Sequence, residues 1–259
     1  MNRRIVSSSP DVAWRESSNC DERGGAEIDM LVLHYTGMPS ADGALDWLCS
    51  PESRVSSHYF IFEDGRIVQS VAEDRRAWHA GISNWRGNND INARSIGIEI
   101  ANPGHEHGYR PFPPEQVEAV VALCASVVTR FTIPARNVVA HSDIAPARKQ
   151  DPGELFPWRR LHEAGIGLFV EPAPERSGPG LPPGSPGAQV KRLQRGLAAY
   201  GYGIPQSGKF DEPTGKVVAA FQRHFRPARV DGIADASTRD TLDRVLAELA
   251  RAEAGSTSV

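Results

Sequence analysis

The stretch Glu171–Gly187, EPAPERSGPGLPPGSPG, limits the possible folds more than any other part of the chain. Proline, glycine, serine and charge dominate it, and it offers almost nothing to bury. Such a segment reads as a semi-stiff linker between folded units. It predicts a first domain over residues 1–170, a linker over 171–187 and a small domain over 188–259. Charge divides in the same way. Residues 185–259 carry 11 Lys and Arg against 8 Asp and Glu, and residues 1–184 carry 18 against 24. A small basic unit beside an acidic one suggests an anionic polymer as partner. The net charge of −3 gives no case for nucleic acid.

No apolar run approaches the roughly 20 residues needed to span a bilayer, so membrane insertion is not expected. The N-terminal stretch MNRRIVSSSPDVAWRESS has Arg3 and Arg4 but no apolar run behind them. It does not read as a secretory signal, which places the protein in the cytoplasm, with the periplasm as the alternative. Cys20, Cys49 and Cys124 are odd in number and far apart, which predicts reduced, structural thiols.

The first unit alternates strand and helix patterns. Asp29–Thr36 is a short apolar run that predicts a buried strand. Ala41–Cys49 predicts a helix. His58–Val71 is two alternating runs around Asp64-Gly65, a hairpin signal. Ser95–Ala101 and Asn137–His141 predict further strands. Pro113-Pro114-Glu115 opens a long helix whose Val117, Val120, Val121, Cys124, Val127, Val128 and Phe131 fall at helical spacing. Leu155–Ala164 predicts a short closing helix. The fold class is therefore α/β, a mixed central sheet flanked by helices. The second unit predicts three helices. It also carries an echo at an offset of 24 residues: Gly208, Asp211 and Thr214 against Gly232, Asp235 and Thr238. Each Asp and Thr precede an apolar helix, as a helix-capping loop requires.

Two of the eight histidines stand out by position. His34 and His141 close two apolar strands, where α/β proteins place their chemistry. Asp151 follows ten residues after His141. Two imidazoles and a carboxylate fill three positions of a tetrahedral zinc site and leave the fourth for water. The blander alternative for Asp151, before Pro152-Gly153, is a turn former. Glu99 lies among Ile96, Ile98 and Ile100, where an unpaired carboxylate is costly without a function. Lys149 sits in a polar loop and on its own reads as a solvated charge.

The stretches LVLHYT, VSSHYFIFEDGRIVQSV, RAWHAGISNWRG, SIGIEIAN, VVAHSDIAPARKQDPG and LFPW occur in that order. Together they resemble the zinc N-acetylmuramoyl-L-alanine amidases of the AmpD/AmiD type, over roughly residues 28–170. The second unit resembles the three-helix peptidoglycan-binding domain that accompanies wall hydrolases. The resemblance implies one zinc ion per chain on His34, His141 and Asp151. It implies Glu99 as general base and Lys149 as the group that stabilises the oxyanion. It also implies muropeptides as substrate: the lack of a readable export signal points to anhydro-muropeptides from wall recycling, with an exported amidase acting on wall peptidoglycan as the alternative.

Substrate-binding candidates are Tyr35, Trp78, His79, Trp85 and Arg148. An aromatic wall suits a sugar ring, though Trp78 reads equally well as core with His79 as its polar neighbour. His58 reads as structural, His105 and His107 as adventitious surface residues, and His162 and His224 show no partner pattern. The rival from another class is a non-catalytic muropeptide receptor, which typically lacks the ligands that this chain has. A third possibility is the same chemistry on a different amide.

Overall fold

A computed structural model describes residues 12–175 and 180–256. Residues 1–11, which carry most of the stretch read for an export signal, lie outside the described residues. Strands β1 (Val12–Trp14) and β2 (Cys20–Glu22) lead into β3 (Met30–Tyr35) and α1 (Ala41–Cys49). The Ser40 hydroxyl caps α1 by accepting the Gly43 N–H at 3.2 Å. The expected hairpin is β4 (Tyr59–Ile61) and β5 (Ile67–Gln69), turned at Gly65 with φ 84°. Then come β6 (Arg75–Ala77), α2 (Ile91–Arg94), β7 (Ser95–Ile100), α3 (Pro114–Phe131) and β8 (Val138–Ala140). His141 does not end a strand as expected. It opens a single helical turn, α4 (His141–Ile144), ahead of α5 (Trp158–Glu163). The second unit is α6 (Ala188–Tyr200), α7 (Glu212–Phe225) and α8 (Ala236–Ser256). No helix among the described residues is long and apolar enough to cross a membrane.

The main sheet has the order β1-β5-β4-β7-β3-β8, parallel throughout except for the β4–β5 hairpin. Strands β2 and β6 form a separate antiparallel pair. Side chains alternate between the faces of a strand. Leu31 and Leu33 of β3 and Ile96, Ile98 and Ile100 of β7 therefore share one face, packed on Val120, Leu123, Cys124 and Val127 of α3. Met30 and Val32 point the other way, and so do His34 and, beside it in register, Glu99.

On that second face the two units merge. Met30, Val32, Val139 and Ile144 belong to one apolar core with Val190, Leu197, Phe221 and Phe225. The 171–187 segment is not a free spacer where it is described. Ala173 is buried, its N–H donates to Thr241 Oγ1 at 2.9 Å, and its carbonyl accepts from Ser237 Oγ at 2.6 Å. Leu181 N–H donates to the Ala234 carbonyl at 3.0 Å. The echo is a capping device, as its spacing implies. Asp211 Oδ1 accepts the N–H and hydroxyl of Thr214 at 3.0 and 2.6 Å, and Asp235 Oδ1 accepts both from Thr238 at 2.7 Å.

Candidate active site

His34 reaches the site from β3, His141 from α4, and Asp151 from the loop that follows. The three meet in a buried cluster. His34 Nδ1 lies 2.8 Å from His141 Nδ1 and 3.2 Å from Asp151 Oδ2, and His141 Nδ1 lies 2.9 Å from Asp151 Oδ2. Donor atoms bound at about 2.05 Å around a tetrahedral ion stand about 3.3 Å apart. The cluster is within about half an ångström of that spacing.

Hydrogen bonds set which imidazole nitrogen faces the cluster. The Ser95 hydroxyl donates to the Ile91 carbonyl at 2.6 Å, so it accepts from His79 Nε2–H at 3.1 Å. His79 Nδ1 is then an acceptor, and His34 Nε2–H donates to it at 3.0 Å. That leaves the lone pair of His34 on Nδ1, facing the cluster. His141 Nε2 lies 3.1 Å from the Ala80 carbonyl and 3.3 Å from the Arg148 guanidinium, and in the tautomer that donates to the nearer carbonyl its lone pair too is on Nδ1. Outer partners of this kind orient metal-ligating histidines. Burial, with the neighbouring His141 adding to it, pushes the His34 imidazole down to about 4. Burial also drives His79 well below the usual range. Burial alone would raise the Asp151 carboxyl, but His141 and His34 outweigh it and hold it low. The lowered His34 imidazole and the ionised Asp151 carboxylate are in the states that metal ligation requires.

Glu99 stands beside His34 on the neighbouring strand. Its Oε2 is enclosed and has no hydrogen-bond partner. Burial pushes its carboxyl well above the usual range and the Asp151 charge pushes it further, while Lys149 pulls the other way. An unpartnered carboxyl of raised basicity, in the cleft that His141 and Asp151 also line, has what a general acid–base needs. Lys149 lines the same cleft. Among the described residues its ammonium makes no hydrogen bond or ion pair. The cleft has two lobes of about 240 Å³ each. Both are lined by Tyr35, Lys149 and Asp151; Trp47, Trp78 and His79 line one, and His105 and Arg148 the other.

Several expectations change. Trp85 is 0% exposed and cannot line a substrate groove. It packs edge-on against Tyr200 and Tyr202 of the second unit, with ring centroids 5.4 Å away in both cases. Arg148 is exposed and lines the second lobe, with part of its guanidinium already engaged. Its guanidinium donates to the Ala80 carbonyl and, at 2.8 Å, to the Ile82 carbonyl, bracing the loop that holds His141. His79 lines the cleft and is also the hydrogen-bond partner of His34. His105 is no adventitious surface group. Tyr35 O–H donates to its Nδ1 at 2.9 Å, and its Nε2 donates to Glu154 at 3.1 Å. His224 has a partner that no sequence pattern revealed, the buried Asp143.

Gly97, on β7, makes the His79 position possible. A Cβ there would stand 2.5 Å from His79 Cγ. Gly97→Ala is expected to lower stability by about 1–3 kcal/mol through overpacking. It should also weaken metal binding by roughly tenfold as His79 leaves His34. Thermal unfolding and chelator competition measure the two effects.

A two-histidine, one-carboxylate cluster beside a glutamate at the ends of sheet strands could hold a metal ion, an arrangement suited to hydrolysis. Comparison with known proteins agrees with this. Residues 24–154 match the N-acetylmuramoyl-L-alanine amidase family and residues 186–242 match a peptidoglycan-binding domain family. The chain is 40% identical over 255 residues to the N-acetylmuramoyl-L-alanine amidase AmiD of Escherichia coli, covering 91% of this chain and 90% of AmiD. It is 38% identical over 141 residues to the 1,6-anhydro-N-acetylmuramyl-L-alanine amidase AmpD of Enterobacter cloacae, covering 54% of this chain and 72% of AmpD. The solved complex of E. coli AmiD with anhydro-N-acetylmuramic acid-L-Ala-D-gamma-Glu-L-Lys is similar at TM-score 0.72 and 36% identity, over 90% of this chain and 93% of that one. AMPDH3 from Pseudomonas aeruginosa is similar at TM-score 0.70 and 28% identity, over 96% and 98%. The chain belongs to the N-acetylmuramoyl-L-alanine amidase family.

Proposed function

We propose that the protein hydrolyses the amide between N-acetylmuramic acid and L-alanine in anhydro-muropeptides, with zinc held by His34, His141 and Asp151. The unpartnered Glu99 carboxyl beside the buried His34, His141 and Asp151 cluster carries this reading most directly. Zinc, when bound, supplies a Lewis acid that activates water and polarises the scissile carbonyl. Glu99 takes the proton of the attacking water and hands it to the departing L-alanine amine. The Lys149 ammonium donates to the oxygen on which negative charge grows, a contact worth about 3–4 kcal/mol of barrier. The products are a lactyl carboxylate and a peptide with a free amine. Trp47 and Trp78 offer an apolar wall to the sugar. Tyr35, with its hydroxyl held by His105, borders the lobe left for the peptide. Polymer binding would fall to the second unit, where Arg192, Arg195 and Arg239 line a groove of about 480 Å³ between α6 and α8.

Digestion of a soluble anhydro-muropeptide, followed by mass spectrometry, tests the reaction. Free peptide beginning with L-alanine is expected with zinc and is absent with chelator. Intact muropeptide retained on the protein in both cases would establish a receptor instead. Cell fractionation checks the cytoplasmic placement, and a periplasmic majority would make polymeric wall the substrate.

A further inference from the structure

The second unit touches the metal site through one buried carboxylate. Asp143 lies two residues beyond the ligand His141 and is 0% exposed. It accepts three hydrogen bonds. One comes from the Ala140 N–H at 2.9 Å, at the start of the same helical turn. The other two come from the second unit: Tyr202 O–H donates to Oδ1 at 2.6 Å and His224 Nδ1–H donates to Oδ2 at 2.7 Å. The His224 ring is itself fixed, stacked on Trp158 at 3.8 Å and on Phe225 at 4.1 Å between centroids. Further along the ligand loop, Arg223 donates to Gln150 Oε1 at 3.2 Å, next to Asp151.

A single helical turn does not hold its own shape, because nucleation is unfavourable and four residues provide no propagation. The direction of α4, and with it the His141 ring, therefore depends on outside contacts. A buried carboxylate that loses a donor moves to recover one, because leaving it unsatisfied is costly. We infer that Tyr202 and His224 are positioning residues of the metal site, acting through Asp143. The second unit is then a working part of the amidase centre as well as a wall-binding module. This rests on the amidase reading for its kinetic consequence and on the proposed His34, His141 and Asp151 ligand set for its metal consequence.

Full-length variants test it. Tyr202→Phe removes one hydroxyl, His224→Leu removes the donor, and His224→Asn places a donor near the position of Nδ1. Arg136→Ala serves as control. It loosens the same interface, where Arg136 donates to the Ala199 and Tyr200 carbonyls at 2.8 and 3.0 Å, without touching Asp143. Zinc affinity is read by chelator competition, ligand geometry by the visible spectrum of the cobalt(II)-substituted protein, and turnover on a soluble anhydro-muropeptide. Tyr202→Phe and His224→Leu should each weaken zinc binding about tenfold, shift the cobalt spectrum and lower kcat more than they raise KM. His224→Asn should restore most of the loss. Arg136→Ala should melt earlier with unchanged zinc affinity and spectrum. The inference fails if Tyr202→Phe and His224→Leu behave like Arg136→Ala. If His224→Leu does not fold, Tyr202→Phe decides alone. If the wild type turns nothing over, the amidase reading is lost while the zinc and cobalt measurements still decide this one.

Discussion

Glu99→Gln is expected to lower turnover of an anhydro-muropeptide by about 10²–10⁴-fold, the usual worth of a general acid–base. Metal content should stay at that of the wild type, because Glu99 is not one of the clustered donors. The same substitution has an opposite effect on stability once the metal is stripped. Burial raises the Glu99 carboxyl well above the ordinary 4.5 of a glutamate. Between about 4.5 and its raised value the folded chain holds a proton that the unfolded chain has released, so stability falls as pH rises through that window. Glutamine has no charge to bury. Metal-free Glu99→Gln should therefore be more stable than metal-free wild type at pH 7, and the gap should close below about pH 4.5. His34 acts with the other sign, since the unfolded ring takes up a proton near 6.5 and the folded one only near 4. Its contribution is lost as pH falls through that range, and it is common to both proteins. Denaturant melts at pH 4 and pH 7 read the difference. A variant with near wild-type turnover would remove Glu99 from the chemistry.

Asp151→Ala should abolish both metal binding and activity. The charged ligand goes, and two imidazoles remain. Losing a Lewis acid worth several kcal/mol of barrier corresponds to about 10³-fold or more in rate at 1.36 kcal/mol per decade. Added zinc should not restore the variant, whereas chelator-stripped wild type should recover when zinc is returned. Metal analysis beside turnover checks both points. Persistent hydrolysis by metal-free Asp151→Ala would show that the chemistry runs without the cluster.

The sequence carried much of this site, and its gaps have physical causes. A short apolar run placed His34 on its strand and the alternation of Ile96, Ile98 and Ile100 placed Glu99 on its own, because both signals need only local residues. The α3 seam and the caps at Asp211 and Asp235 were legible for the same reason. Strands β1, β2 and β6 were not. Each has three residues, and β2 (Cys-Asp-Glu) and β6 (Arg-Arg-Ala) have no apolar pattern. Trp78 and Trp85 lie in a stretch without period, so nothing local says that one faces the cleft and the other the second unit. The partners Asp143 and His224 are 81 residues apart, and so are joined only by the packing of two units.

That packing has a practical consequence for anyone who cuts or recombines the molecule. A truncated chain ending before α6 would uncover Trp85, which packs on Tyr200 and Tyr202, and open the apolar core shared by the two units, at a cost of about 1.5–3 kcal/mol for each large side chain brought into water. It would also strip two donors from the carboxylate next to a ligand. Grafting a foreign wall-targeting module onto residue 170 would then give poor metal retention and self-association, unless the graft brought its own apolar cap for the back of the sheet.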